Sequence, residues 1–141
     1  MGKKRIKTIQ ADKLKASKKN KKNSKKRIEQ GRAYVQSSYN NTIITFTDNN
    51  GDVVLSSSCG ALGFRGAKKA TPYAASILAR DLVEKAKGFG LQRVEVFVKG
   101  LGHARDQAIR ALAANGLDLL SIKDITPIPH GGCRPRKPRR V

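Results

Sequence analysis

The order of β-forming and helix-forming segments is the feature that most restricts the fold of this chain. Three short segments rich in Val, Ile, Thr and Ser come first, and turn-forming residues separate them at Tyr39-Asn40-Asn41 and Asn49-Asn50-Gly51-Asp52. Asn-Gly favours the positive φ angles that tight hairpins need. We therefore predict an antiparallel meander of three strands, at Ala33–Ser37, Thr42–Thr47 and Val53–Ser57.

The second half of the chain alternates between helix and strand. Thr71 is a favourable N-cap, Pro72 suits the first helical position, and Gly88 favours a helix end. Alternating valines predict a fourth strand, and a second helix is predicted to stop at Asn115-Gly116. The residues behind these predictions are Ala74, Ala75, Ile77, Leu78, Leu82 and Ala86 for the first helix, Val94, Val96 and Val98 for the fourth strand, Ala108, Ile109, Leu112 and Ala113 for the second helix, and Leu117 to Ile125 for the fifth strand.

This succession implies two right-handed crossovers and parallel pairing in the second half of the sheet. We predict an α/β fold with a ribonuclease H-like motif, in which helices flank a mixed five-stranded sheet. The prolines in Thr126-Pro127-Ile128-Pro129 cannot continue a helix or a central strand, because proline lacks the N–H donor. The chain beyond the fifth strand should therefore be extended.

The net charge of +20 is concentrated in the two ends of the chain. Residues 1–32 carry a net charge of +12, residues 33–129 only +3, and residues 130–141 carry five cations and no acid. We predict a basic N-terminal extension over 1–31, disordered until it meets its partner, an α/β domain over 32–129, and a basic tail over 130–141. Such arms favour a polyanionic partner.

Several other classes of protein fit poorly. No apolar segment approaches the length of a transmembrane helix or of a secretory signal, so we expect no membrane association and a soluble intracellular location. Cys59 and Cys133 stand 74 residues apart and form no Cys-x-x-Cys pair. We interpret both as reduced thiols without a metal.

Ribonuclease H-like nucleases share this sheet order, and they need clustered carboxylates to hold metal ions. The predicted first strand has no acid, and Asp48 and Asp52 flank a hairpin turn. The two histidines, His103 and His130, lie in a glycine loop and in the tail, and we weigh each as an RNA contact or an uninvolved surface residue. We expect no catalysis, no metal, no cofactor and no small-molecule substrate.

Two loops combine cations with small residues. Arg65, Lys68 and Lys69 lie among glycine and alanine just before the first helix, where small residues permit close approach to RNA and Phe64 can pack or stack. Lys99-Gly100-Leu101-Gly102 precedes the second helix, but it lacks the Walker pattern. We interpret this second loop as a contact to the RNA backbone and not as a nucleotide site.

These segments resemble those of a known family, the universal small-subunit ribosomal protein eleven in its bacterial and organellar form. The resemblance covers residues 32–141. The segments that carry it are Ser38-Tyr39-Asn40-Asn41-Thr42-Ile43, Gly60-Ala61-Leu62-Gly63-Phe64-Arg65-Gly66, Thr71-Pro72-Tyr73-Ala74-Ala75, Val98-Lys99-Gly100, Arg105-Asp106-Gln107-Ala108-Ile109-Arg110-Ala111, and Asp124-Ile125-Thr126-Pro127-Ile128-Pro129-His130, which continues to Pro135.

The resemblance implies a ribonuclease H-like fold without nuclease activity, bound to rRNA in the platform of the small ribosomal subunit. It also implies a place near the 3′ end of that rRNA and the messenger exit path, beside other platform proteins, in a cytoplasmic bacterial ribosome or an organellar one. The rRNA-binding residues that it implies are Asn40, Asn41, Arg65, Lys68, Lys69, Lys99, Arg105, His130, Arg134, Arg136, Lys137, Arg139 and Arg140.

The chain departs from the family pattern at three places. Leu101 stands where the family usually has proline, Gly131-Gly132 stands where it usually has Asn-Gly, and the lysine-rich N-terminal arm is longer. A free histone-like nucleic-acid-binding protein is the alternative hypothesis, since it would use the same release of counterions. Only the matched segments favour the ribosomal hypothesis over this alternative.

Overall fold

The computed structural model describes residues 27–138, so residues 1–26 and 139–141, including Arg139 and Arg140, lie outside the described part. Most of the predicted N-terminal extension falls there. The described chain is an α/β domain of five strands, two α-helices and a 3₁₀ helix. In chain order they are β1 (Gln30–Ser37), β2 (Thr42–Thr47), β3 (Val53–Ser58), the 3₁₀ helix (Gly66–Ala70), α1 (Pro72–Lys87), β4 (Arg93–Lys99), α2 (Arg105–Ala114) and β5 (Asp118–Asp124).

The strands form one mixed sheet in the order β3-β2-β1-β4-β5. β1 pairs with β2 and β2 with β3 in antiparallel fashion, whereas β4 is parallel to both β1 and β5. This is the ribonuclease H-like arrangement predicted from the sequence. The hairpin turns produce the antiparallel half, and the helical crossovers produce the parallel half.

Both helices pack on the same face of the sheet. Val35 on β1 and Val96 on β4 are buried in one cluster with Leu78 of α1 and Leu112 of α2. The alternate side chains of β1 and β4 point to the other face of the sheet, where the Tyr34 ring stacks on the Phe97 ring. The two ring centroids are 5.1 Å apart and the ring planes are 18° from parallel. The Lys123 ammonium lies 5.5 Å from the centroid of the Phe97 ring.

Helix α1 begins and ends as predicted. The Thr71 hydroxyl accepts a hydrogen bond from the Ala74 N–H at 3.3 Å, Pro72 occupies the first position, and Gly88 caps the C-terminus. Helix α2 corrects one prediction, because Ala111 is buried and Ala113 is exposed. At 100° per residue, position 113 faces away from the row formed by Ala108 and Leu112.

The first strand begins three residues earlier than predicted. Gln30 pairs with Arg93 in the parallel ladder with β4, which the weak β propensity of this segment does not reveal. Just before it, the Ile28 N–H donates to the Phe89 carbonyl at 3.0 Å, and the Ile28 side chain joins the core. The division of the chain at residues 31 and 32 stays a prediction.

Between residues 27 and 138, no helix has both the length and the apolar character needed to cross a membrane.

Candidate nucleic-acid interface

The sheet topology brings the predicted RNA-binding segments to the same end of the domain. β3, β1, β4 and β5 all run in one direction and finish at this end, and β2 begins there because it is antiparallel. We call it the carboxyl end of the sheet. It carries the β1–β2 turn, the loop after β3, the loop after β4 and the tail after β5. The sequence gives no spacing signal that would unite these four segments.

The β1–β2 turn is held by one serine. The Ser38 hydroxyl accepts hydrogen bonds from the N–H groups of Asn40 at 3.3 Å and Asn41 at 3.1 Å, and it donates to the Asn41 carbonyl at 3.1 Å. The Asn40 side chain is exposed, and the buried Oδ1 atom of Asn41 has no hydrogen-bond partner. The turn thus presents an exposed amide at Asn40 on a fixed backbone.

The loop after β3 presents three cations on the 3₁₀ helix and just before it. Arg65 and Lys68 are exposed and Lys69 is half-buried. The loop is fixed at its base, because the N–H of buried Cys59 donates to the Thr42 carbonyl at 3.0 Å. At its tip, the Phe64 ring packs edge-on against Tyr73, with centroids 6.4 Å apart, and so joins the loop to α1. Phe64 therefore packs within the protein.

The loop after β4 lies directly against the end of β1. Gly102 N–H donates to the Ser37 carbonyl at 3.1 Å, and Gly100 has a φ of +101°. A β-carbon on Gly100 would lie 2.1 Å from the Ser37 carbonyl oxygen. Only glycine fits here, because both the φ angle and the space exclude a side chain. Lys99, the exposed cation of this loop, therefore has a fixed backbone position beside the β1–β2 turn.

Arg105, at the first position of α2, is engaged within the protein. Its Nη1 donates to the Gly100 carbonyl at 3.2 Å, and its Nη2 forms an ion pair with Asp124 Oδ2. Asp124 Oδ1 in turn accepts from the Thr126 hydroxyl at 2.6 Å and from the Thr126 N–H at 2.9 Å. The Thr126 hydroxyl also accepts from the Gly100 N–H at 3.1 Å. This network fixes the direction in which the tail leaves β5.

The hydrogen bonds from Thr126 and then the Arg105 guanidinium lower the pKa of Asp124 to about 2. Asp124 is therefore anionic at neutral pH, and its charge is balanced inside the protein. Sequence reasoning missed the roles of Asp124 and Thr126. The sequence signal is that the two residues lie two positions apart, which is the spacing of an Asx turn. This signal is weak, because such a turn needs only local backbone contacts and so does not predict the contact with Arg105.

The tail is extended and exposed as far as the structure describes it. His130, Arg134, Arg136 and Lys137 are all exposed, and none of them forms an ion pair with another described residue. Arg139 and Arg140 lie outside the described residues. The described part of the tail therefore carries cations that are free to meet an anion.

Unpaired cations are common among residues 27–138, and outside the loops and the tail they include Lys87, Arg93 and Arg110. Among residues 27–138, acidic side chains form ion pairs with Arg32, Arg80 and Lys85 away from the carboxyl end. At the carboxyl end, the one ion pair among the described residues is that of Arg105. The loop cations there have no ion pair among the described residues: Arg65, Lys68, Lys69 and Lys99. The N-termini of α1 and α2 lie at this end too, and their partial positive charge adds to the field.

Acids and cations are mixed at the opposite end of the sheet, where Arg93 begins β4. Asp48 and Asp52 lie in the β2–β3 hairpin, and Asp118 begins β5. Asp48 Oδ1 accepts from the N–H groups of Asn50 at 2.9 Å and Asp52 at 3.0 Å, as expected of a turn former. The hydrogen bonds of the Asp48 carboxylate are therefore accounted for by the geometry of the hairpin turn.

The described residues contain no group of three or more His, Cys, Asp or Glu side chains placed to hold a metal ion. Cys59 and Cys133 are both free thiols. Burial raises the pKa of the Cys59 thiol, whereas Cys133 is exposed in the tail. Neither cysteine has the setting of a metal ligand in the described part of the chain.

Comparison with known proteins matches the chain to a protein family. The model of the family described as ribosomal protein S11 matches residues 31–140. The small ribosomal subunit protein uS11 of one strain of Thermus thermophilus is 52% identical over 122 residues, covering 86% of this chain and 95% of the relative. The uS11 of a second strain of Thermus thermophilus matches with the same identity and coverage.

Proposed function

Because the chain belongs to the ribosomal protein S11 family, we propose that it is a structural constituent of the small ribosomal subunit and binds rRNA through the carboxyl end of its sheet and its tail. The family is one of structural proteins, and the chain is not an enzyme. This function places the protein in the small subunit of the cytoplasmic ribosome.

The observation that carries the rRNA proposal is the convergence, at one end of the sheet, of the β1–β2 turn with two loops and a tail that carry unpaired cations. Phosphate contacts position a protein on nucleic acid, and unpaired Lys and Arg release condensed counterions when they bind. A cation already paired with an acid gains less from this exchange. The unpaired loop and tail cations are therefore the best candidates for phosphate contacts.

Within this surface we assign two kinds of role. Arg65, Lys68 and Lys69 contact phosphates beside α1, and Lys99 does so beside α2, while the Asn40 and Asn41 amides contact sugar or base edges. His130, Arg134, Arg136, Lys137, Arg139 and Arg140 follow the RNA as an extended tail. Arg105 supports the surface from within, because its guanidinium is engaged by Asp124.

The finer location is also part of the proposal. We place the protein in the platform, near the 3′ end of the rRNA and the messenger exit path, with other platform proteins as neighbours. We further propose that residues 1–31 are a basic extension whose last residues, from Ile28 on, join the domain of residues 32–129, with residues 130–141 as the rRNA-binding tail. The charge partition of the chain supports this division.

Assembly of small subunits with a variant chain tests the proposal. Arg65→Gln, Lys68→Gln and Lys69→Gln in one full-length chain should reduce its incorporation into small subunits reconstituted on complete rRNA. The matched control changes three cations of α1, Arg80→Gln, Lys85→Gln and Lys87→Gln, with the same change in charge. Equal incorporation of both variants would contradict the assigned surface.

Sedimentation distinguishes the alternative of a free histone-like binder. The protein should cosediment with small subunits in magnesium-containing gradients and should be displaced from DNA by small-subunit rRNA. Recovery mainly with DNA, or free of small subunits, would favour the histone-like alternative.

A further inference from the structure

An open cleft of about 330 Å³ lies at the carboxyl end of the sheet, between the segments that follow β1, β4 and β5. Tyr39, Leu101 and Pro127 provide apolar walls, one from each segment. Gln36 and Lys99, which are paired in register on β1 and β4, also line the cleft. No acidic side chain is among its lining residues.

The walls of this cleft leave apolar surface in contact with solvent. Tyr39 and Leu101 are both 68% exposed, although each is large and apolar. Tyr39 stands next to Ser38, whose hydroxyl fixes the turn, and its ring lies edge-on to His103 at 6.3 Å between centroids. An aromatic ring held in a fixed position with its surface exposed is suited to stacking with a planar ligand.

The cleft is also preformed. Gly100 packs against the backbone of Ser37, and its N–H donates to the Thr126 hydroxyl, which ties the loop after β4 to both neighbouring segments. The three walls are therefore joined by backbone contacts that do not depend on a ligand. Preformed walls reduce the conformational entropy that the protein loses when a ligand binds.

We propose that this cleft holds one unstacked nucleobase of the small-subunit rRNA, which stacks on Tyr39 while Lys99 contacts the adjacent phosphate. The inference rests on the proposed function and adds a defined site to it. An aromatic ring, an amide at Gln36 and an ammonium group match the ring face, the polar edge and the phosphate of a nucleotide. The absence of carboxylates from the lining favours this anionic ligand over a basic peptide.

Binding of short RNA with and without bases tests this inference in the full-length protein. The probes are a labelled oligoadenylate and an abasic oligomer with the same number of phosphates. Tyr39→Leu should weaken binding to oligoadenylate about 5- to 100-fold and leave binding to the abasic oligomer unchanged. Tyr39→Phe, which keeps the ring, should bind both probes as the unchanged protein does.

Tyr73→Leu is the matched control, because Tyr73 is also 68% exposed and does not line the cleft. It should preserve the difference in affinity between the two probes. The inference is overturned if Tyr39→Leu weakens the binding of both probes equally, or if Tyr73→Leu also abolishes the difference in affinity between them. It is also overturned if Tyr39→Leu weakens the binding of neither probe, which would leave the cleft to a protein side chain.

The outcome separates this inference from the proposed function. If Tyr39→Leu and the unchanged protein bind small-subunit rRNA equally and the probes are not distinguished, only the cleft assignment fails. If the unchanged protein shows no salt-dependent binding to that rRNA, the proposed function itself fails.

Discussion

Gly100 and Ser37 are in such close contact that the backbone of the loop after β4 rests on the carbonyl of β1, with the Gly102 N–H donating to the same oxygen. This contact joins the β1–β2 turn to the loop that carries Lys99. The position of each segment at the carboxyl end of the sheet therefore depends on the other.

Gly100→Ala should destabilise the protein strongly. The new β-carbon would lie 2.1 Å from the Ser37 carbonyl oxygen at a φ of +101°, so strain and collision add. The strain alone is about 1–3 kcal/mol. Gly51→Ala is the control, because Gly51 has a φ of +98° and no atom within 4 Å of the new carbon. Urea unfolding should show a clearly larger loss for Gly100→Ala, and equal losses would refute the steric argument.

Asp124 should contribute stability that depends on pH. Its pKa is lowered from 3.8 to about 2 in the folded protein, so its contribution is present above pH 3.8 and is lost as the pH falls toward 2. Thermal unfolding measured across this range should show a steeper loss for the unchanged protein than for Asp124→Asn. Parallel curves would mean that the contacts with Thr126 and Arg105 do not favour the carboxylate.

Removal of residues 131–141 should lower the salt dependence of rRNA binding without affecting the fold. The deletion removes five cations, and each lost phosphate contact should reduce the slope of log affinity against log salt by about 0.7–0.9. The deleted residues among those described are exposed, so the unfolding midpoint should not change. An unchanged salt slope would show that the tail makes no phosphate contacts.

Thr71→Ala should cost about 1 kcal/mol of stability through loss of the N-cap of α1. The Thr71 hydroxyl accepts from the Ala74 N–H and donates to the Lys68 carbonyl, so the same change loosens the link between α1 and the cationic 3₁₀ helix. Thr71→Ser should retain both hydrogen bonds and most of the stability. Chemical unfolding of the two variants compares them directly, and equal losses would exclude a capping role.

The two cysteines should react with thiol reagents at very different rates. Cys133 is exposed, whereas Cys59 is buried and its pKa is raised by burial. Mass spectrometry after brief treatment with iodoacetamide should find Cys133 modified and Cys59 unmodified until denaturant is added. Rapid modification of Cys59 in the folded protein would contradict its place in the core.

Much of the fold could be predicted from local signals. Thr71, Pro72 and Gly88 fix the ends of α1 through capping chemistry that needs no tertiary contact, and the alternation at Val94, Val96 and Val98 identifies β4. The start of β1 could not be predicted in this way, because Gln30 and Arg32 are held by pairing with β4. Pairing between segments far apart in sequence leaves no local pattern.

The candidate site, too, has features that the sequence predicts and features that it does not. Composition alone identifies Arg65, Lys68, Lys69 and Lys99 as cations near small residues. It does not distinguish them from Arg105, whose guanidinium is engaged by Asp124, 19 residues later in the chain. The cleft beside Tyr39 likewise has no signal in the sequence, because its walls come from three separate segments.

The sequence by itself determined the class of this protein, since helix caps, strand alternation and charge partition are properties of neighbouring residues. Only the tertiary structure decided which cations are unpaired and which surface they share. Four strands that finish at one end of the sheet, and one that begins there, bring together turns and loops up to about ninety residues apart in the chain. The loops acquire their common surface from this topology, because the sheet and not the loop residues sets where each one begins.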